Sequence, residues 1–272
     1  MSLTEILKTE RIIKTTEDEI LYSVLNKLRS SHDAAFVFSN KNQYLGVINP
    51  YYCLIKSSYP ANSKVKNCLF HSPKVYLDTS LSKIASLMIE SKVHYLPVFL
   101  DRKKDEFIGI ISARRLLSYF KNLNFFKVEI NEILKNKKPL VTINENESVG
   151  KAIDFFRKNR YSKLVVVDSG GKLRGILSYF DLISYLALPK EKETFGDKKG
   201  EKTSFLNLPI KNFTKTHVII LKKENYLTDV INLILEKKIG SVIISNSDKI
   251  PKGIITTRDI LNFFIQKSSF LK

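Results

Sequence analysis

The same order of hydrophobic and polar positions occurs four times along the 272-residue chain. Each occurrence begins with a short β-like segment, at residues 11–16, 74–79, 140–145 and 218–223. A helical pattern follows, and then two runs of β-branched and aromatic residues separated by turn-forming residues. A last helical pattern closes each unit and is least clear in the first one. The chain therefore predicts four β-α-β-β-α repeats, an α/β (α+β) architecture.

The first helix of each repeat carries apolar residues at positions i, i+3, i+4 and i+7, so these side chains share one face. We expect this face to be buried. Its members are Leu21, Val24, Leu25 and Leu28; Leu81, Ile84, Ala85 and Met88; Val149, Ala152, Ile153 and Phe156; and Leu227, Val230, Ile231 and Ile234.

The spacing of the repeats predicts the domain organisation. The repeats lie at residues 4–57, 65–121, 130–186 and 208–266. The charged stretch 187–206 shows neither period and contains Gly and Pro, so we interpret it as a linker or insertion. The tight spacing within each half favours a first module of residues 1–122 and a second module of residues 126–272.

A short motif, Gly-x-x-[Ser/Thr]-x-x-Asp, recurs near the end of the repeats. It reads GIITTRDIL at 253–261 and GILSYFDLI at 175–183, with degenerate versions GIISARRLL at 109–117 and GVINPYYCL at 46–54. Its simplest interpretation is a helix capping box, in which the hydroxyl and the acid bind free backbone N–H groups. That interpretation predicts a structural or assembly module without a ligand.

The strand-to-helix context of the motif supports a second interpretation. Free N–H groups at a helix N-terminus favour an anion, and a carboxylate one turn later can accept hydrogen bonds from a ribose diol. Thr256 and Ser178 add hydroxyl groups. Gly253 and Gly175 leave room where a ligand or a neighbouring strand approaches. The motif is thus also a candidate nucleotide site.

Four such units resemble four CBS domains, the cystathionine β-synthase repeat, arranged as two tandem Bateman modules in a disc-like body. The resemblance covers nearly the whole chain and is weakest at 4–57. The arrangement is similar to that of the γ subunits of AMP-activated protein kinase. Their third repeat has Ser-x-Phe-Asp, as here in SYFD, and their second repeat has Arg in place of Asp, as at Arg115, and a His before a Leu-Pro-Val strand, as in VHYLPV.

The resemblance implies a pair of clefts between adjacent repeats that hold an adenosine-containing ligand such as AMP, ADP or ATP. The Asp would bind the ribose, and the base would lie against the first strand of the partner repeat. One implied site consists of Asp259, Thr256, Thr142 and Ile143. The other consists of Asp181, Ser178, Ile220 and Leu221.

The resemblance also implies basic residues near the phosphates. Arg258 and Lys163 would meet the phosphates, and His94 would face the central cleft, where we also expect it to reach the ligand. Gly240 or Ser241 stands in the fourth repeat where Lys163 stands in the third, so one site would lack that ligand.

The first half departs from the family pattern. Asn49 and Tyr52 replace the hydroxyl residue and the acid in the first repeat, and Arg115 replaces the acid in the second. Neither Tyr52 nor Arg115 accepts a ribose diol as a carboxylate does. We therefore expect nucleotide sites mainly in the C-terminal pair.

The net charge of +18 makes nucleic-acid binding on the same scaffold an alternative function. Two features weaken this alternative. Lysine outnumbers arginine by 36 to 9, whereas bidentate phosphate and base contacts favour arginine. The lysines are also scattered along the chain, so a solvated basic surface is the preferred interpretation.

The remaining composition narrows the function classes. Two cysteines are too few for a disulfide framework, no apolar run is long enough to span a bilayer, and the N-terminus lacks a secretory signal. We therefore expect a cytoplasmic protein.

No sequence feature indicates a metal site or an enzyme. The four histidines form no metal-spaced pair, and no G-x-S-x-G, H-E-x-x-H, Walker A or G-x-G-x-x-G motif is present. We expect a non-enzymatic regulatory protein without covalent cofactor or metal, with a protein partner or a second copy as its reader.

Overall fold

The computed structural model describes residues 3–28, 34–159, 161–186 and 204–268, and it contains four small sheets of three strands each. In every sheet the first strand pairs parallel with the second, and the third returns antiparallel to it. The strands are β1 (Lys14–Thr16), β2 (Ala35–Phe38), β3 (Tyr44–Ile48), β4 (Val75–Tyr76), β5 (Tyr95–Phe99), β6 (Phe107–Ser112), β7 (Thr142–Asn144), β8 (Lys163–Val167), β9 (Leu173–Ser178), β10 (Ile220–Leu221), β11 (Ser241–Ser245) and β12 (Pro251–Thr256).

The helices confirm the β-α-β-β-α order in the second, third and fourth repeats. They are α1 (Leu21–Leu28), α2 (Leu81–Ser91), α3 (Ala113–Phe120), α4 (Ile130–Lys135), α5 (Val149–Asn159), α6 (Tyr179–Leu186), α7 (Leu227–Glu236) and α8 (Thr257–Ser268). The first repeat ends instead in a short π-helical segment, Tyr51–Lys56. No described helix is both long enough and apolar enough to cross a membrane.

The predicted helix faces are buried almost throughout. The four apolar residues predicted for α1, α5 and α7 are the buried residues of those helices. In α2 three of the four are buried, and Leu81 is half-buried. Of the predicted linker, residues 187–203 lie outside the described residues, and residues 204–206 are helical rather than irregular.

The residues just before the first strand of each repeat, here called its lead segment, pack on the partner repeat. The lead segments comprise residues 3–8, 64–70, 126–137 and 205–215. Lys8 exchanges two backbone hydrogen bonds of 2.9 Å with Ile110, and Lys215 does the same with Ile176 at 2.9 and 3.0 Å. This exchange joins the first repeat to the second and the third to the fourth.

Close approach of the lead segments explains the motif glycines. A Cβ atom on Gly109 would lie 2.6 Å from the carbonyl oxygen of Lys8, and one on Gly175 would lie closer still to that of Lys215. At Gly253 the nearest atom is instead the Leu134 side chain, at 2.5 Å. The approaching group that the sequence left open is therefore a neighbouring segment of the chain.

The hydrophobic cores cross the predicted boundary between the two halves. One cluster combines helices α2 and α3 of the second repeat with α7 and α8 of the fourth. Phe120 stacks there on Phe264, with 3.9 Å between ring centroids. Another cluster joins Tyr51 of the first repeat to the core of the third. Either half alone would expose these apolar faces. That the modules 1–122 and 126–272 fold independently therefore stays a prediction.

Candidate functional site

A cleft of about 800 Å³ lies between the third and fourth repeats, and part of the second repeat borders it. Both motif acids, Asp181 and Asp259, line this cleft together with Ser178 and Thr256. The two sites implied by the sequence thus open into one continuous space. The second repeat contributes His94, among other residues, so the cleft is built by both halves of the chain.

Both motif turns form the capping contacts that the simplest interpretation predicts. Asp259 Oδ2 accepts hydrogen bonds from the backbone N–H and the hydroxyl of Thr256, both at 2.8 Å. Asp181 Oδ2 accepts from the backbone N–H of Ser178 at 2.7 Å. In both turns these bonds go to one oxygen, Oδ2. The capping role therefore leaves the second carboxylate oxygen, Oδ1, for another partner.

Two lysines that sequence reasoning missed hold these acids. Lys137 Nζ lies 2.8 Å from Asp259 Oδ2, and Lys215 Nζ lies 2.8 Å from Asp181 Oδ1. Both lysines belong to lead segments, and each lies five residues before the first strand of its own repeat. Aligning NKKPLVTI with TKTHVIIL would have placed them in one column, which is the signal that could have found them.

Arginine side chains tie the cleft to the second repeat. Arg258, beside its acid, donates from Nη2 to the carbonyl of Ile89 at 3.2 Å. Arg114 donates from Nη2 to the carbonyl of Lys238 at 3.0 Å. Lys163 lies between the two motif turns and donates to the Ser241 hydroxyl at 3.3 Å. Arg258 and Lys163, which the resemblance implied, therefore line the same cleft as Arg114.

The charge of the cleft is strongly positive. Two aspartates line it against nine lysine or arginine residues, a formal excess of seven positive charges. The cations are Lys92, Arg114, Lys137, Lys138, Lys163, Lys215, Lys238, Lys252 and Arg258. Such a concentration favours a ligand with several negative charges.

The environment shifts the titration of the central groups. Desolvation, together with the charges of Arg258, Lys163 and Arg114, lowers the pKa of His94 to about 4, so its imidazole is neutral at pH 7. Desolvation also lowers the pKa of Lys163 to about 8, although nearby Asp181 acts in the opposite direction. Lys163 therefore carries its charge at neutral pH and loses it as the pH rises through about 8.

The residues that the resemblance placed against the adenine base are not among those that line the cleft. Thr142, Ile143, Ile220 and Leu221 do not line it, and residues 138–141 and 217–219 do so instead. Ile143 is an inward residue of β7 and is buried in the core of the third repeat. The chain passes the cleft just before it enters the strand, so the lining lies a few residues earlier than the motif alignment implies.

In the first half, the side chains at the motif positions contact other parts of the protein. Tyr52 stacks on Phe70, with 3.8 Å between ring centroids, and its hydroxyl donates to the carbonyl of Ser91. Asn49 Oδ1 accepts from the backbone N–H of Tyr51 at 3.0 Å and so acts as a cap. Arg115 donates to the carbonyl of Leu7 at 3.1 Å.

Aromatic rings fill the space between the first two sheets. Phe38 and Phe107 pack edge to face at 5.1 Å, and Tyr44 packs on Phe99 at 5.4 Å. Phe38 is a buried member of a cluster shared by both repeats, and Tyr44 and Phe107 pack against that cluster.

Comparison with known proteins identifies the repeats. A family model described as CBS domain matches residues 67–122, 130–188 and 210–266. The chain is 26% identical to protein MJ1404 of Methanocaldococcus jannaschii over 203 residues, which are 74% of this chain and 47% of the relative. The chain spans about half the length of this relative.

Two solved structures share the fold. Protein MJ1225 of Methanocaldococcus jannaschii, described as a candidate archaeal homologue of γ-AMPK, superposes with a TM-score of 0.81 at 17% identity, covering 97% of this chain and 100% of that one. A conserved protein of Pyrococcus horikoshii superposes with a TM-score of 0.63 at 18% identity, covering 97% and 99%. At this identity the likeness shows the four-repeat fold, including the first repeat that the family model does not match.

Proposed function

The chain belongs to the CBS-domain family, and from that premise we propose that it is a non-enzymatic regulatory protein that binds adenine nucleotides in the cleft between its third and fourth repeats. The observation that carries the proposal is the cleft itself. One space of about 800 Å³ contains both motif acids, their hydroxyl neighbours and an excess of seven positive charges. These are the groups that a ribose and its phosphates require.

Each part of a nucleotide has a matching surface in the cleft. Asp259 or Asp181 would accept hydrogen bonds from the ribose diol. The apolar residues within 139–141 and 218–219 would lie against the adenine ring. Arg258, Arg114 and Lys163 would bind the phosphates by charge-assisted hydrogen bonds.

Regulation would follow from the shared construction of the cleft. Arg114 and His94 come from the second repeat, while the acids come from the third and fourth. A ligand that contacts all three favours the arrangement of repeats in which these groups converge. A protein partner, or a second copy of this chain, would then read that arrangement.

The proposal is tested by thermal shift and calorimetry on the full chain. AMP, ADP and ATP should each raise the melting temperature, because a ligand that binds only the folded state stabilises it by mass action. GTP serves as the control for phosphate binding without adenine. Binding of RNA with a steep salt dependence, and of no nucleotide, would contradict the proposal.

A pH dependence is expected from Lys163. The affinity for ATP should fall about tenfold between pH 7 and pH 9.5, because the ammonium with a pKa of about 8 loses its proton and one charge-assisted contact. The charged groups that act on Lys163 are Asp181, which favours its ammonium form, and Lys215 and Arg114, which disfavour it. Calorimetry with Lys163→Met should give a flatter profile, and an unchanged slope in that variant would assign the pH effect to another group.

A further inference from the structure

Each motif acid of the cleft already has a lysine as its counter-ion. Lys137 contacts Asp259 and Lys215 contacts Asp181, both at 2.8 Å. The two carboxylates are largely withdrawn from solvent, with side-chain exposures of 18% and 8%. A ligand that hydrogen-bonds to these carboxylates must therefore share them with a lysine or replace it.

The two ion pairs are equivalent parts of the fold. Lys215 pairs through its backbone with Ile176, the residue after Gly175. Lys137 donates from Nζ to the carbonyl of Ile254, the residue after Gly253, at 2.7 Å. Both lysines thus reach the motif strand of the partner repeat at the same place. The pairing recurs because the lead segments are exchanged between partner repeats.

The degenerate repeats have a contact at the same place, but it is not an ion pair. Tyr52, at the acid position of the first repeat, stacks on the lead-segment residue Phe70. Arg115, at the acid position of the second, binds the lead-segment carbonyl of Leu7. The lead segment therefore contacts the acid position in all four repeats. The two repeats that keep the acid are the two in which the contact is an ion pair.

The excess charge of the cleft makes the displacement of a lysine costly. An ammonium that loses its carboxylate there stands among other cations and without a counter-ion. Desolvation adds to this cost at Lys137, whose side chain is 27% exposed, more than at Lys215, whose side chain is 59% exposed. A neutral nucleoside offers no compensation for that loss. A nucleoside phosphate brings its own negative oxygens, and these can accept the displaced ammonium.

We propose that Lys137 and Lys215 are specificity-determining residues that hold the motif acids until a ligand replaces them, so that the cleft selects phosphorylated adenosine ligands over uncharged adenosine. This inference rests on the proposed function, since it assumes that the acids bind a ribose. It adds that the lysines oppose binding of the nucleoside and support binding of the phosphate.

The test measures the affinities for AMP and for adenosine by calorimetry on the full chain. Lys137→Gln is made together with Asp181→Ala, and Lys215→Gln together with Asp259→Ala, so that only one subsite is observed in each case. The reference for each is the chain with the alanine substitution alone. Each lysine variant should bind AMP about tenfold more weakly and adenosine about threefold more tightly. Lys135→Gln and Lys211→Gln remove one charge from the same lead segments outside the cleft and should change both affinities less than about twofold. Lys137→Arg and Lys215→Arg should keep the preference for AMP.

The outcomes separate this inference from the proposed function. If the glutamine variants weaken AMP and adenosine equally, the lysines are general structural or electrostatic residues and the inference is overturned while the function stands. If the folded wild-type chain binds no adenosine compound, both are overturned. Should a glutamine variant melt before binding can be measured, the arginine variants decide, because loss of the AMP preference in them contradicts the proposed charge exchange.

Discussion

Asp259→Ala is expected to weaken binding of AMP or ATP about 10- to 100-fold, because the variant loses a charge-assisted hydrogen bond to the ribose worth roughly 1.5–3 kcal/mol. The structure shows that Asp259 also caps its helix, through two bonds of 2.8 Å from Thr256. Losing that cap costs about 1 kcal/mol of stability but does not alter affinity in molecules that remain folded. Calorimetric affinity and melting temperature, measured on the same variant, separate the two roles.

Asp259→Asn sharpens the distinction. Asparagine can still accept the bonds from Thr256, but it loses the ion pair with Lys137 and accepts the ribose diol less well. We expect this variant to keep most of its melting temperature and to lose affinity. If the alanine and asparagine variants both bind as wild type does while melting lower, the motif is a capping box only.

Asp181→Ala should affect the second subsite of the same cleft. The double variant Asp181→Ala, Asp259→Ala should therefore lose the nucleotide binding that either single variant retains. Arg115→Ala is the matched control. Arg115 occupies the acid position of the second repeat, but it donates to the lead-segment carbonyl of Leu7, so its loss should leave nucleotide binding unchanged. Residual micromolar binding of adenosine by the double variant would indicate a site in the first half, contrary to our prediction from Tyr52 and Arg115.

Gly175→Ala is expected to lower the free energy of unfolding by roughly 1–3 kcal/mol, as overpacking does in other close-packed interiors. The added methyl group would meet the backbone carbonyl of Lys215 and, at 2.7 Å, the Thr214 methyl group. The backbone of the lead segment would have to move, and its two hydrogen bonds to Ile176 would weaken. Denaturant unfolding of the full chain measures the change.

Gly253→Ala provides the matched comparison at the same position of the motif. There the three atoms nearest the new methyl group all belong to the Leu134 side chain, which can rotate away. We expect a loss below about 1 kcal/mol, partly offset by the smaller entropy of the unfolded chain. Equal losses in Gly175→Ala and Gly253→Ala would show that close approach of the lead-segment backbone is not what requires the glycine at position 175.

Local periodicity was sufficient to predict most of the fold. The buried faces of α1, α5 and α7 were predicted residue by residue. Strands β2 and β11 coincide with two of the β-branched and aromatic runs, AFVF at 35–38 and SVIIS at 241–245. Side-chain direction along a helix or a strand repeats with a fixed period, so each repeat contains the information for its own elements. The spacing of the motif likewise places an acid one turn into each of two helices.

What the sequence alone determined, then, is the four repeats, their buried faces and the two acids that a ribose could use. The tertiary structure decided how the repeats meet: lead segments exchange between partners, and residues 138–141 and 217–219 line the cleft instead of the strands that come after them. It also paired each acid with a lysine of a lead segment, and it brought Arg114 from the second repeat to the cleft. These contacts join residues far apart in the chain, and periodicity carries no information about which surface a segment will cross, because that depends on shape and charge complementarity between whole elements.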